Sequence, residues 1–266
     1  MKKAICYYFA YLLSSIAGGI IFAIVARIFI AIFFPQHQNG INVDDIAYPW
    51  CMGFALIGAQ IATIMAFMKH KMGNYSCGNL HECNNMKAVF VLSAILGLGL
   101  FLAFSIVPVD PSEYNKLFPA SLTTNPVFII SVCFGAPLSE ELVFRGGIER
   151  VLLNCKSNLW IAIMVSAAAF ALTHGNMVQS PFAFALGIVI GWIYYRTGSV
   201  WPGICIHFVN NTLASVINLI NGGSGEISLD LTTNVCITIV GILIIVITMK
   251  YLVPATAVTA TQKKIS

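Results

Sequence analysis

Residues 4–34 read AICYYFAYLLSSIAGGIIFAIVARIFIAIFF, with Arg27 as the single charge in the stretch. A helix rises 1.5 Å per residue, so about 20 apolar residues cross a hydrocarbon core ~30 Å thick. The stretch exceeds that length. Lys2 and Lys3 ahead of it resemble the n-region of a secretory signal, but a signal h-region runs only about 7–15 residues. A retained first membrane span is therefore expected.

Further apolar stretches of that order follow at 48–68, 87–107, 125–144, 158–174, 181–195, 200–220 and 233–252, about eight in all. The fifth and sixth fall short of 20 residues, and the fourth only just reaches that length. The polar connections are short, and neither a repeat nor a low-complexity linker divides the chain. The expected fold is all-α: a polytopic transmembrane helical bundle forming one integral membrane domain over 1–266.

Composition agrees. Of the 266 residues 58% are hydrophobic and 9% charged, against about 25% charged in soluble domains. A soluble protein this apolar would expose patches that invite aggregation, so membrane lipid is the expected surroundings. The net charge of +4 is too small and too scattered to imply nucleic acid. Cys6, Cys51, Cys133, Cys205 and Cys236 lie in or beside apolar runs, where cysteine acts as a small hydrophobe. Cys77, His81 and Cys83, with His70 nearby, offer three zinc-ligand types in the 69–86 connection. Their spacing matches no common zinc module, and a polar loop is expected. Gly18, Gly19, Gly97 and Gly99 are expected to let helices approach closely.

Lys and Arg near span ends stay on the cytoplasmic side. With the N-terminus inside, the cytoplasmic segments hold Lys2, Lys3, Lys69, Lys71, Lys87, Arg145, Arg150, Lys156, Arg196, Lys250, Lys263 and Lys264, which is 12 of the 14 basic residues. Lys116 alone falls outside, with Asp44, Asp45, Asp110, Glu113, Glu226 and Asp230. Both termini are thus expected in the cytoplasm, across the cytoplasmic membrane if the source is bacterial.

A charge at mid-membrane costs about 2.5–3.5 kcal/mol on insertion scales, so intramembrane ionisable residues need a reason. They concentrate in Ala136-Pro137-Leu138-Ser139-Glu140-Glu141-Leu142-Val143-Phe144-Arg145-Gly146-Gly147. Glu141 and Arg145 are four apart and share a helix face. Glu140 is turned about 100° away and has no such local partner. The fifth stretch ends in Phe170-Ala171-Leu172-Thr173-His174, and the seventh holds His207-Phe208-Val209-Asn210-Asn211, with His207 and Asn211 on one face. Singly these could be headgroup-level residues or interhelical hydrogen bonds. Their clustering on neighbouring spans favours a site.

Glu-Glu-x-x-x-Arg, Phe-x-x-x-His and His-x-x-x-Asn on successive segments resemble the three motifs of the CPBP family. That family contains CAAX prenyl endopeptidases and bacterial intramembrane proteases, some implicated in bacteriocin self-immunity. Tyr195-Arg196-Thr197-Gly198-Ser199-Val200-Trp201-Pro202 is also similar to it. The resemblance covers about 125–220, a CPBP-like catalytic core, and Glu140, Glu141, Arg145, Phe170, His174, His207 and Asn211 all match.

What the resemblance implies is peptide hydrolysis by a glutamate-activated water. Glu140 and His174 would orient and deprotonate the water, and His207 and Asn211 would donate to the oxyanion. Glu141, Arg145 and Phe170 would orient these groups. Glu140, His174 and His207 could instead hold Zn²⁺ with an open position for water. No His-x-x-x-His lies on one helix, so the reading favours no cofactor, with zinc as the alternative. Substrates would be a peptide or membrane protein: a prenylated CAAX protein in a eukaryote, or a short peptide, pheromone precursor or bacteriocin-related target in a bacterium. Two rival classes use the same residues. One is a non-catalytic immunity or binding protein on this scaffold. The other is a proton-coupled transporter, although the chain shows no inverted repeat.

Depth poses a geometric condition. With straight spans, His174 at the far end of its helix and His207 near the cytoplasmic start of its own do not meet. They meet if the fourth segment runs past Arg150 as one helix, or if the fifth is tilted or shifted.

Overall fold

The computed structural model describes residues 1–33, 43–73, 75, 85–107, 110–155, 157–223 and 229–256. Cys77, His81, Cys83 and Glu226 lie outside these. The described residues form helices and no strand: α1 (Lys2–Phe33), α2 (Val43–Lys69), α3 (Met86–Ala103), the short α4 (Pro111–Leu117) and α5 (Ala120–Thr123), α6 (Pro126–Asn154), α7 (Leu159–Thr173), α8 (Ser180–Thr197), α9 (Trp201–Ile220) and α10 (Leu231–Ala255). Each of the eight apolar stretches read from the sequence folds as helix. Six of these helices are long and apolar enough to cross a membrane: α1, α2, α3, α6, α9 and α10. The protein is an all-α, polytopic integral membrane bundle.

Local chemistry sets the helix starts. The Asn125 side chain accepts from the backbone N–H of Val127 and Phe128, and Pro126 follows as the first helical residue. Its fixed φ and missing N–H suit that position. Asn158 caps α7 through Trp160 N–H, and Asp230 caps α10 through Thr233 N–H. Gly198 ends α8 in the left-handed region at φ 63°, which a Cβ would strain.

Small residues set the packing. A Cβ on Gly18 would strike the Gly58 carbonyl, so the backbones of α1 and α2 touch. A Cβ on Gly97 would lie 2.8 Å from the Ile206 carbonyl of α9, and one on Gly241 of α10 would lie 2.8 Å from the Gly99 carbonyl. Lipid tails are as apolar as side chains, so association rests on such close packing. The faces left over are apolar and exposed, including Leu13, Ile20, Ile24 and Ile28 on α1 and Ile239, Leu243 and Val246 on α10.

The fourth stretch differs from its expected bounds. It was expected to end at 144, with Arg145 and Arg150 beyond it among the cytoplasmic residues. The helix instead continues to Asn154, and Arg145 is fully buried within it. Length statistics missed this because Glu140, Glu141, Arg145, Glu149 and Arg150 dilute the hydropathy of a segment that is nevertheless enclosed by other helices.

Candidate active site

Two π-helical turns bracket the paired glutamates on α6, at Ser131–Gly135 and Phe144–Glu149. Such turns free carbonyls from the helix ladder and recur at functional sites. Neighbouring helices take the freed groups. Gln60 of α2 donates to the Ser131 carbonyl at 3.0 Å, Asn211 of α9 to the Val132 carbonyl at 2.9 Å, and Ser166 of α7 to the Phe144 carbonyl at 2.8 Å. Ser139 donates to the Gly135 carbonyl at 2.9 Å. These bonds fix the rotation of α6 and therefore the direction of Glu140 and Glu141.

Glu141 and Arg145 pair as their spacing predicts, Nη1 to Oε1 at 2.9 Å, with both side chains fully buried. Arg145 Nη2 also donates to the Gly187 carbonyl of α8 at 3.0 Å. Its guanidinium lies 4.9 Å from the centre of the Phe170 ring, a cation–π separation. One contact was not legible in the spacing: His207 Nδ1 lies 3.1 Å from Glu141 Oε1. An ionised carboxylate only accepts, so Nδ1 carries the hydrogen and Nε2 is the ring atom turned outward.

That outward atom faces Glu140, whose Oε2 is 3.8 Å from His207 Nε2. Glu140 is 18% exposed where Glu141 is sealed at 0%. Adjacent in the chain, one carboxylate is locked and the other faces a space. His174 also lies within electrostatic reach of Glu140. Its Nδ1 lies 3.1 Å from the Phe170 carbonyl. The Phe170 ring stands edge-on between the histidines, 5.1 Å from His174 and 5.7 Å from His207. The depths of the two therefore match. The fourth segment runs past Arg150, and α7 has only 15 residues, about 22 Å of rise, so it ends short of a full crossing.

Six of the seven motif residues are thus drawn together, while Asn211, one turn past His207 on α9, commits one amide hydrogen to the Val132 carbonyl. Sequence reasoning missed two members. Tyr11 of α1 places its hydroxyl beside Thr173 and within electrostatic reach of Glu140; nothing in an apolar first span marks it out. Glu149, counted with neither spans nor site, is fully buried below Arg145. Its four-residue spacing from Arg145 was the available signal, obscured by the early end assigned to the span.

A groove of about 290 Å³ is lined by Phe90, Phe134, Pro137, Leu138, Trp201 and Phe208 among others, close in sequence to Glu140 and His207. It lies between α3, α6 and α9. Residue 75 seals one edge: Tyr75 donates to the Leu138 carbonyl at 2.9 Å, and Trp201 Nε1 donates to the Tyr75 carbonyl at 2.9 Å.

Among the described residues no three His, Cys, Asp or Glu side chains converge in a ligating arrangement. Glu141 is occupied by Arg145 and His207, and a guanidinium beside a metal would oppose its charge.

Residues 122–213 match the family model for type II CAAX prenyl endopeptidases, Rce1-like. Among curated proteins, the chain is 34% identical over 157 residues to the membrane-embedded CAAX protease MroQ of Staphylococcus aureus (strain USA300), covering 53% of this chain and 63% of that protein. It is 29% identical over 108 residues to YdiL of Bacillus subtilis (strain 168), named as a membrane peptidase, covering 41% of this chain and 44% of that protein. The match thus spans roughly half the length of these curated relatives. No solved structure matches the chain. The resemblance read from three short motifs is thus matched by these comparisons: residues 122–213, which carry the α6–α7–α9 cluster, are similar to the Rce1-like type II CAAX prenyl endopeptidases.

Proposed function

We propose that the protein is an intramembrane endopeptidase in which Glu140 activates a water against a peptide bond. One observation carries the reading: Glu140 is a partly exposed carboxylate beside the sealed Glu141, Arg145 and His207, with His207 Nε2 3.8 Å away. That separation is too long for a direct hydrogen bond and suits one shared water. The water oxygen bonds to the scissile carbonyl carbon and its proton passes to Glu140. The amine leaves as the C–N bond breaks and takes that proton. His174, at the mouth of the cluster, orients the water with Glu140. His207 is held through Nδ1 by Glu141; protonated at Nε2 it donates to the oxyanion. Asn211 has a second amide hydrogen for the same oxygen, and such donors act strongly in a site that excludes water. Glu141, Arg145 and Phe170 hold the histidines in place.

The reaction as proposed needs no metal. The substrate class supported by the family name is a CAAX-type protein or a peptide precursor, and the apolar groove lined by Leu138 and Phe208 suits an apolar segment of it. Cleavage of a peptide panel by the purified protein, wild type against Glu140→Gln, with and without chelator, is the test. Glu140→Gln is expected to abolish cleavage, and chelator to leave the wild type active. An equally active Glu140→Gln protein refutes the catalytic reading. Loss with chelator, restored by Zn²⁺, refutes the metal-free part alone.

A further inference from the structure

Below the site, α6 carries a third buried acid that the reaction does not touch. Glu149 is one turn past Arg145 and two past Glu141 on the same helix, with 0% of its surface exposed. Neither of its carboxylate oxygens has a hydrogen-bond partner, and Arg145 Nε and Glu141 Oε2 are in the same condition. Four unpartnered buried atoms thus lie along one ladder, Glu141–Arg145–Glu149. The facing helices are cut away to receive it. A Cβ on Gly191 would lie 2.7 Å from Glu149 Oε2, one on Gly187 would lie 3.2 Å from Arg145 Nη2, and one on Gly203 would lie 3.3 Å from Glu141 Oε2. Tyr194 of α8 is also within electrostatic reach of Glu149, as are Arg145 and Glu141.

We propose that Glu149 is a positioning residue: a second carboxylate that competes with Glu141 for the Arg145 guanidinium and so sets how firmly Glu141 holds His207 in front of Glu140. Arg145 bonds to Glu141 and has Glu149 within electrostatic reach on its other side. A guanidinium drawn wholly to Glu141 weakens the bond from His207 Nδ1 to the same oxygen, because Oε1 accepts from both. Glu149 restrains that shift from the far side, and the Gly191 notch keeps its carboxylate against α8 at the depth of Arg145.

The proposal rests on the hydrolytic reading of Glu140 and His207, and its test separates the two. In the full-length protein, Glu149→Gln is expected to lower kcat about tenfold with KM within about twofold, and Glu149→Asp to recover most of the loss. Gly191→Ala, which pushes a methyl group into the Glu149 carboxylate, is expected to lower kcat in wild type and to have little further effect on Glu149→Gln. The ring ¹⁵N resonances of His207, assigned with His207→Gln, are expected to move in Glu149→Gln although the two residues share no contact. If the wild type hydrolyses nothing, the functional reading fails and the resonances alone judge the positioning. Unmoved His207 resonances, or a Glu149→Gln protein that loses stability with kcat unchanged, overturn it.

Discussion

Two bonds close around Oε1 of Glu141, from Arg145 at 2.9 Å and His207 at 3.1 Å, and no surface of the side chain remains. Glu140 next to it has no such bond and keeps 18% of its side chain open. The two should respond differently to the same isosteric change. Removing one partner of a buried ion pair strands the other and costs about 3–5 kcal/mol. Glu141→Gln is therefore expected to lower the unfolding midpoint in detergent sharply, along with activity. Glu140→Gln breaks no hydrogen bond and loses only the 3.8 Å approach to His207; it should unfold at nearly the wild-type temperature and still bind substrate, with turnover lost. Thermal unfolding beside cleavage rate for both variants decides it. A Glu140→Gln protein that unfolds readily, beside a stable but inactive Glu141→Gln, would reverse the assignment.

Among the elements, α6 is held in rotation by side chains from α2, α7 and α9, and from the connection between α2 and α3 by residue 75. Tyr75 donates to the Leu138 carbonyl, two residues before Glu140, and stacks near Trp201 at 5.8 Å. Burial pushes its phenol up to about 12 from an ordinary value of 10. The folded value lies above the unfolded one, so the contribution is fully present below about pH 10 and fades as pH rises toward 12. The latch is thus intact across the physiological range. Tyr75→Phe is expected to lower the unfolding midpoint at pH 8, and the gap from wild type should narrow between pH 10 and 12. No gap at pH 8 would show that the hydroxyl contributes nothing, and a gap constant across that window would show that its ionisation is not linked to folding.

For the whole molecule, contacts place Arg150 and Arg196 toward one end of the bundle. Tyr7 near the start of α1 meets the Phe67 ring at 6.0 Å, close to Lys69. Arg150 reaches the Met72 carbonyl at 3.4 Å, and Arg196 donates to the Val253 carbonyl near the end of α10 at 2.8 Å. At the other end, Thr123 donates to the Gly223 carbonyl and Asn218 to the Tyr114 hydroxyl, beside Asp110, Glu113 and Lys116. The start of α1 and the end of α10 thus share the basic end, which is expected to face the cytoplasm. Glu113→Cys, on exposed α4, should react with an impermeant maleimide on intact cells, whereas exposed Cys155 should react only after permeabilisation. The opposite pattern would invert the topology.

Hydropathy alone located the eight apolar stretches, because a helix in lipid must be apolar over a fixed length whatever it packs against. The three motifs named the glutamates, histidines and asparagine for the same reason in reverse: polar residues are rare enough in such helices to stand out. The i, i+4 spacing also decided the Glu141–Arg145 pair, which lies within one helix. What required the tertiary structure was every relation between helices. That α6 runs on to Asn154 depends on α8 offering Gly187 and Gly191 to Arg145 and Glu149, a fit no window of α6 contains. The bond from Glu141 to His207 joins residues 66 apart in the chain, and the rotation that aims Glu140 at Nε2 comes from π turns whose freed carbonyls are caught by Gln60, Ser166 and Asn211 on three other helices. Tyr11 reaches the site from a separate helix, packing its ring on Phe144 at 5.4 Å. Composition measures how a residue meets solvent; which residue it meets is fixed by packing.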